Sequence, residues 1–262
     1  MKRVWATVVL AAYSLSACAG RLATNLTSVA ADDTPETAAR RYREADARFD
    51  YQAAVRAANS WRALAPSSIA AVVAEAEAEC SLADLASSDG EVEPHVDRAL
   101  ALVQPLVDAR SASMPVQSAA GLELAAAEAL GLRARQRGAG AAMMLKSIYT
   151  HAKASVDLDP NYEQGAARRL LAVILVKAPG WPQGPGDFDG GVKMLEDYVA
   201  QYPRVAQGYI HLADAYLDAH RVRDGENALT RARPLLGKNP RARKLFEQTE
   251  DRIRVNHNVK SY

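Results

Sequence analysis

The sequence predicts an all-α fold, and three observations support that class. Alanine is abundant, runs of β-branched residues are rare, and glycine and proline occur at the joints between helical runs. In the stretch 187–240, apolar residues recur at helical spacing in two runs, again with proline at the joints. No stretch alternates apolar and polar residues for long enough to indicate a sheet. The pattern predicts helix, turn and helix in repetition.

Residues 1–17 have the features of a targeting segment rather than of a folded domain. Lys2 and Arg3 supply a positive start, and a short, mostly apolar run follows over residues 4–15. That run is too short to span a bilayer as a helix. We therefore predict a signal peptide and exclude it from the fold.

The end of this segment reads Leu15-Ser16-Ala17-Cys18, which resembles the lipobox of bacterial lipoproteins. The resemblance implies cleavage before Cys18, a diacylglycerol on its sulfur and acylation of the new amino terminus. Several acyl chains on one residue give stable anchoring, because each buried CH₂ contributes ~0.8 kcal/mol. Residue 19 is alanine rather than aspartate, which resembles the signal for the outer membrane. The alternative is an ordinary signal peptide beside an unrelated cysteine.

Cleavage before Cys18 changes the charge of the chain only slightly. Loss of Lys2 and Arg3 takes 32 basic residues to 30 against 31 acidic ones, so the formal net charge moves from +1 to −1. A near-neutral chain gives no electrostatic case for nucleic acid. If Cys18 carries the lipid, Cys80 remains a free thiol. It lies in an alanine-rich helical run, so we interpret it as a small core residue rather than a nucleophile.

The chain divides into three predicted parts: the signal peptide 1–17, the lipidated cysteine with a flexible tether 18–33, and a helical repeat domain 34–262. The tether is polar and rich in small residues. Thr34, Pro35 and Glu36 mark the start of the domain, because a capping threonine, a proline at the first helical position and an early acid are typical of a helix start.

A repeated spacing organises the domain. Three segments place small or apolar residues at offsets of four and three and then a proline five residues later. These segments are Ala54, Ala58, Trp61 and Pro66; Ile148, Ala152, Ser155 and Pro160; and Gly191, Leu195, Tyr198 and Pro203. A small first residue lets two helices approach closely, the next two fill the groove, and proline ends the helix.

These segments resemble the second helix and exit turn of a tetratricopeptide repeat (TPR). The first helix of such a repeat is matched by Tyr209, Leu212, Ala213 and Tyr216, which line one helix face. The resemblance implies a TPR-like right-handed superhelix of about five antiparallel helix pairs plus a C-terminal capping helix. The alternative is an unrelated all-helical bundle.

The predicted helix boundaries follow from the same pattern. A terminal helix with polar outer sides is what a solenoid requires to end in water, so residues 240–256 are assigned to the cap, with Arg241, Lys244 and Arg252 among its solvated residues. The predicted pairs are 34–47 with 51–65, 67–86 with 94–109, 115–137 with 140–158, 161–177 with 188–202, and 204–219 with 222–235.

A loop rich in proline and glycine, residues 178–187, interrupts the fourth pair. Asp187 is placed to cap the helix that begins at Phe188. Trp181 either folds back over the solenoid or projects as an anchor for a partner, because aromatic residues dominate binding hot spots. We take Trp181 and Asp187 as the candidate partner-binding residues.

No catalytic or metal-binding pattern stands out, so the sequence predicts no enzyme, no cofactor and no metal site. Of the five histidines, His211 has acids on its helical face, at Asp214 and Asp218. A solvated or packed polar face is the ordinary interpretation of such a cluster.

From residue 34 onward the chain resembles TPR lipoproteins of bacterial envelopes. A narrower likeness, over residues 160–235 with Pro185-Gly186-Asp187 opening a helix, resembles the TPR lipoprotein associated with TRAP-type transporters. The first resemblance implies a membrane-anchored scaffold at the periplasmic face of the outer membrane that binds an envelope protein or peptide. The second implies a transport accessory protein with a small-molecule cleft, whose partner is a periplasmic solute-binding protein.

Overall fold

The computed structural model describes residues 33–137 and 142–259, and over these ranges the all-α prediction is confirmed. The signal peptide, Cys18 and the tether lie outside the described residues. A 3₁₀ turn, Arg233–Leu235, follows the tenth helix. The helices are α1 Pro35–Ala47, α2 Tyr51–Leu64, α3 Ile69–Leu85, α4 Asp89–Asp108, α5 Val116–Arg137, α6 Ala142–Leu158, α7 Tyr162–Lys177, α8 Phe188–Gln201, α9 Ala206–Asp218, α10 Val222–Ala232 and α11 Pro240–Val259.

The ten helices before α11 form the five predicted pairs, and each helix packs against the next one along the chain. The first helices of successive pairs also contact one another, from α1 to α3, α3 to α5, α5 to α7 and α7 to α9. Such stacking of pairs builds an α-solenoid, in which each pair buries its apolar faces against its neighbours. The predicted order of elements therefore holds from the first pair to the last.

The first helix begins as the sequence predicts. Thr34 accepts a hydrogen bond from the backbone N–H of Thr37 at 3.2 Å, Pro35 occupies the first turn and Glu36 follows it. The threonine satisfies one of the N–H groups that a helix start leaves without a partner.

The predicted start of α4 at residue 94 is wrong, because the helix begins at Asp89 and contains Pro94 and Pro105. Asp89 and Glu91 lie in the first turn, where carboxylates interact favourably with the helix dipole. Glu91 also accepts a hydrogen bond from the backbone N–H of Ser87 at 2.9 Å. The predicted range 94–109 therefore leaves out the acidic first turn of this helix.

The predicted helix 161–177 also differs at its start. Glu163, Gln164 and Gly165 have positive φ values, so the regular right-handed helix runs from Ala166 onward. Gly165 suits this turn in two ways: its φ of 71° favours glycine, and a Cβ there would lie 2.8 Å from the Tyr202 ring.

The repeat positions divide between core and surface as their chemistry requires. The prolines at the joints, Pro66, Pro160 and Pro203, are exposed, while Trp61 and Tyr216 are half-buried. The remaining positions are buried: Ala54, Ala58, Ile148, Ala152, Ser155, Gly191, Leu195, Tyr198, Tyr209, Leu212 and Ala213. The cysteine in α3, Cys80, is also buried, and burial raises the pKa of its thiol well above the usual value. A thiol of that kind is a core residue rather than a nucleophile.

The capping helix α11 is placed differently from the prediction that its charged residues face water. It packs on α9 and α10 but also reaches α3 of the second pair. Arg241 donates to Asp84 Oδ2 at 2.9 Å and to Ser81 Oγ at 3.1 Å, and Lys244 donates to the backbone carbonyl of Asp84 at 2.6 Å. The last helix therefore connects the final pair to the second pair, and its basic residues are used as contacts.

Candidate functional site

Residues at the contact between α11 and α3 line a half-open cavity of about 600 Å³. Its walls come from α3, α5, α6, α7, α9 and α11. Cavities of ~300–1,000 Å³ are the size of sites for small molecules. The cavity is therefore the candidate functional site of the part of the chain that the structure describes.

One wall of the cavity is apolar. Leu132 of α5, Ile148 of α6, and Leu170, Val173 and Ile174 of α7 contribute side chains to it. Leu132, Ile148 and Ile174 are buried, and the other two are half-buried. Apolar surface of this kind favours contact with hydrocarbon over contact with water.

The remaining lining is polar and mostly basic. The cations number five among the lining residues, against two carboxylates, Asp84 and Glu128. The five cations are Arg135, Arg169, Lys177, Arg241 and Lys244. An excess of one sign of charge, bordered by an apolar wall, raises the local concentration of counter-ions of the opposite sign.

Asp84 joins two of the cations. Its carboxylate accepts from Arg135 at 2.7 Å and from Arg241 at 2.9 Å. Burial alone would raise the pKa of Asp84, but the guanidinium groups of Arg241 and Arg135 outweigh it and hold that pKa below its usual value. The ionised Asp84 thus ties α3 to α5 and α11.

Lys177 is neutralised at the side of the cavity by two acids of α9. It forms ion pairs with Asp214 at 2.6 Å and with Asp218, and Arg252 of α11 pairs with the same two carboxylates. These are the acids that the sequence places on the helical face of His211. They hold α7 and α11 against α9, and no ion pair joins either of them to His211 among the described residues.

Arg169 differs from Arg135, Lys177 and Arg241 because its hydrogen-bond partner is uncharged. Its Nη1 donates to the hydroxyl of Tyr198 at 2.9 Å, and that hydroxyl donates in turn to the backbone carbonyl of Gln164 at 3.0 Å. No carboxylate lies within ion-pair distance of Arg169 in the described ranges 33–137 and 142–259. Arg169 therefore brings a positive charge without a paired carboxylate to the cavity, and Tyr198 holds it in place.

His211 also lines the cavity. Burial lowers the pKa of His211 to about 3, and the positive charges of Arg169 and Lys177 act in the same direction. The histidine is therefore uncharged at neutral pH and adds no positive charge to the site.

The loop 178–187 has a fixed backbone. The N–H of Gly186 donates to the carbonyl of Pro179 at 2.9 Å, and the N–H of Asp187 donates to the carbonyl of Leu175 at 3.0 Å. Asp187 caps α8 as predicted, since its side chain accepts from the N–H of Gly190 at 3.0 Å. Trp181 is 89% exposed and is not among the cavity residues. It projects from a rigid loop and does not cover the solenoid.

Charged groups buried inside the alanine-rich helices were not predicted. Glu75 of α3 is fully buried and accepts from Arg62 at 2.6 Å and from Arg98 at 2.6 Å. A buried carboxylate is tolerated only with such partners, because burying a lone charge is costly. The signal that could have found it is the alternation of glutamate with alanine over residues 75–79, which puts carboxylates on more than one side of α3.

Glu77, a neighbour on the same helix, has uncharged partners instead. It accepts hydrogen bonds from the hydroxyls of Tyr42 at 3.3 Å and Tyr162 at 3.4 Å. Burial raises the pKa of Glu77 to about 8, and the negative charges of Glu163 and Glu128 add to the shift. The carboxyl is therefore largely protonated at neutral pH.

We expect this protonation to appear in the pH dependence of stability. Between pH 4.5 and about 8 the folded chain binds a proton at Glu77 that the unfolded chain releases, so stability falls as pH rises. His211 acts in the opposite direction, but only below its unfolded pKa of 6.5. From pH 6.5 to 8, urea melts of the wild type should therefore lose stability, while those of Glu77→Gln should change much less. The exposed Glu247→Gln serves as control and should lose stability as the wild type does; equal losses in all three proteins would contradict the assignment.

The described residues contain no group of three or more histidine, cysteine, aspartate or glutamate side chains arranged to hold a metal ion. Within the same ranges, no helix is both long enough and apolar enough to cross a membrane.

Comparison with known proteins finds similarity at the level of structure. No protein-family model matches the chain, and no curated protein matches it in sequence. The crystal structure of TTC0263, a thermophilic TPR protein of Thermus thermophilus, is similar over 84% of this chain and 99% of its own, with a TM-score of 0.61 and 18% identity. Yeast Tom70 is similar over 84% of this chain and 41% of its own, with a TM-score of 0.42 and 14% identity.

The first of these likenesses shows the fold. The chain is a TPR-type α-solenoid of five helix pairs and a terminal helix, as the repeated spacing of small residues, aromatics and prolines predicts. Solenoids of this type present an extended concave surface, and such surfaces bind other proteins.

Proposed function

We propose that the protein is a membrane-anchored TPR scaffold at the periplasmic face of the outer membrane, where it binds another envelope protein without acting as an enzyme. The fold supports the binding role, and the sequence around Cys18 supports the anchor. The observation that carries the proposal is Trp181, an exposed indole on a loop that is fixed by backbone hydrogen bonds.

An exposed tryptophan on a rigid loop is suited to binding. Water covers most of its apolar surface in the free protein, so a partner that buries the ring recovers that hydrophobic free energy. The loop is already ordered, and little conformational entropy is lost when the partner binds. Asp187 lies at the end of the same loop, and its exposed carboxylate is the second candidate contact, although one of its oxygens caps α8.

We expect Trp181→Ala to weaken partner binding at least 10-fold and to leave the stability almost unchanged. Removal of a hot-spot aromatic costs about 2 kcal/mol or more of binding free energy, whereas an exposed side chain contributes little to the folded state. The measurement is a quantitative pull-down from solubilised envelopes, beside denaturant melts. Met143→Ala is the matched control, because Met143 is 90% exposed on another helix. Retained binding by the Trp181 variant would remove the loop from the interface.

The anchor has its own test. We expect Cys18→Ala to release the protein from the membrane fraction and to abolish labelling with a radioactive fatty acid, because the thiol that carries the lipid is gone. Cys80→Ala is the control and should stay in the membrane fraction with normal labelling, since Cys80 is buried. A Cys18 variant that still sediments with membranes and is still labelled would contradict the lipoprotein assignment.

A second candidate function is favoured by the cavity. An accessory lipoprotein of the kind associated with TRAP-type transporters would bind a periplasmic solute-binding protein and hold a small molecule. The cavity is partly apolar, has the volume of a small-molecule site and has no phenylalanine, tyrosine or tryptophan among its lining residues, which suits a small ligand better than an extended peptide. Co-purification of a solute-binding protein with the wild-type chain, but not with unrelated lipoproteins, would support this candidate.

A further inference from the structure

We propose that the cavity is a binding site for a small amphipathic anion, with the negatively charged group at Arg169 and the apolar body along the wall formed by Leu132, Leu170 and Val173. The inference deepens the second candidate function by giving the class of ligand. It rests on neither the membrane anchor nor the identity of the protein partner, and it is tested without either.

The position of the charged group follows from the pairing of the cations. Arg135 and Arg241 share Asp84, and Lys177 is paired with Asp214 and Asp218. Arg169 has the hydroxyl of Tyr198 as its hydrogen-bond partner, so its charge is available to a ligand. Lys244 is a second source of positive charge, because it donates to the backbone carbonyls of Asp84 and Ala86 rather than to a carboxylate.

Arg169 is also held in place before a ligand arrives. Tyr198 is fully buried, and its hydroxyl bonds both Arg169 and the carbonyl of Gln164. A positioned guanidinium loses little conformational freedom on binding an anion, and its planar fork matches two oxygens of one anionic group.

The body of the ligand follows from the apolar part of the lining. Leucine, valine and isoleucine side chains of α5, α6 and α7 provide apolar contacts without a donor or acceptor. An inorganic anion would leave this surface in contact with water, and a neutral hydrocarbon would leave Arg169 without a counter-ion. One negative group joined to a hydrocarbon chain satisfies both parts of the cavity.

The volume of the cavity suits a small molecule. At about 600 Å³ it lies within the ~300–1,000 Å³ that is typical of small-molecule sites. α11 contributes to its lining and is held against α3 by Arg241 and Lys244.

Isothermal titration with three probes tests the chemistry. The protein is the full chain carrying Cys18→Ala, which leaves out the lipid and the detergent that would compete. Decanoate, below its micellar concentration, should bind with one-to-one stoichiometry. Acetate, which has the charge without the chain, and decyltrimethylammonium, which has the chain with the opposite charge, should bind at least 10-fold more weakly.

Variants locate the site. Arg169→Gln should weaken decanoate binding at least 10-fold, whereas Arg169→Lys should restore part of the affinity. Arg168→Gln is the matched control with no expected effect, because Arg168 precedes Arg169 on α7 but bonds Gln201 and lies outside the cavity. Val173→Trp should abolish binding by filling the cavity while Arg169 is kept. Circular dichroism and melts establish that each variant is folded.

Two results would overturn the proposal: failure of decanoate to bind to folded wild-type protein, and equal binding of decanoate and decyltrimethylammonium. If decanoate fails to bind, binding of a peptide with a free apolar C-terminus would assign the cavity to a protein partner. The Trp181 pull-down tests a different surface of the protein. A negative result in the decanoate titration can therefore be distinguished from a negative result in the test of partner binding.

Discussion

Replacement of Tyr209 by alanine is expected to lower the free energy of unfolding by ~3 kcal/mol or somewhat more, as truncation of large buried aromatics does. Tyr209 is 7% exposed and belongs to the apolar core that α8, α9, α10 and α11 share. Its removal leaves a cavity whose walls are set by several packed helices, so the surrounding chain cannot collapse fully to fill the space. The expected decrease in the free energy of unfolding therefore comes from lost packing contacts.

Urea melts of the two proteins give the difference directly, provided that the slopes of the linear extrapolation agree. Trp181→Ala is the control, since its ring is 89% exposed, and its midpoint should stay near that of the wild type. Tyr216→Ala, at the half-buried end of the same helix face, should fall between the two. A Tyr209 variant as stable as the Trp181 variant would mean that α9 does not pack as described.

The contrast between Tyr209 and Trp181 shows what the sequence could predict. Tyr209 recurs at the helical spacing of the repeat, and periodicity of that kind indicates a buried face whatever the neighbouring helices are. Trp181 is in a loop, where no period applies, and two placements remained open. The exposed placement depends on the hydrogen bonds that the backbone N–H groups of Gly186 and Asp187 donate to Pro179 and Leu175, which no residue pattern specifies.

The cavity could not be predicted for a related reason. Part of its lining depends on Arg241 and Lys244 of α11 reaching Asp84, about 160 residues earlier in the chain. On their own helix these residues follow the pattern of a solvated face, since a charged side chain looks the same in sequence whether it meets water or a partner. The number of stacked pairs and the curvature of the solenoid decide whether α11 meets α3.

The buried carboxylates were not predicted, because the composition of their helices gives no sign of which residues are buried. Glu75 and Glu123 lie in alanine-rich helices that are buried on nearly every side, so an amphipathic pattern is absent there. Their partners, Arg98 and Arg110, come from a neighbouring helix and the turn after it. The sequence pattern therefore predicts the helices but does not predict which ion pairs form between them.

The close approach of α7 and α8 leads to the second large effect: Gly191→Val should destabilise the fold by ~3 kcal/mol, at the upper end of what overpacking costs. A Cβ at Gly191 would lie 2.8 Å from the Val176 side chain and 2.9 Å from the carbonyl oxygen of Ala172. The oxygen belongs to helix backbone and cannot rotate away, so α8 must move outward and lose contact with the core. The helix propensity that valine gains over glycine is only a few tenths of a kcal/mol.

Gly131→Ala is the matched control, because Gly131 is also inside a helix and an added Cβ there meets nothing within 4 Å. Alanine at that position should raise stability by up to ~1 kcal/mol through its better helix propensity, whereas Gly191→Ala should lower it. The two alanine variants thus differ in sign for the same chemical change. Thermal melts should show Gly191→Val at the lowest midpoint and Gly131→Ala at or above the wild type. If Gly191→Ala instead melts at or above the wild type, the small residue at the first repeat position is not what brings the two helices of a pair together.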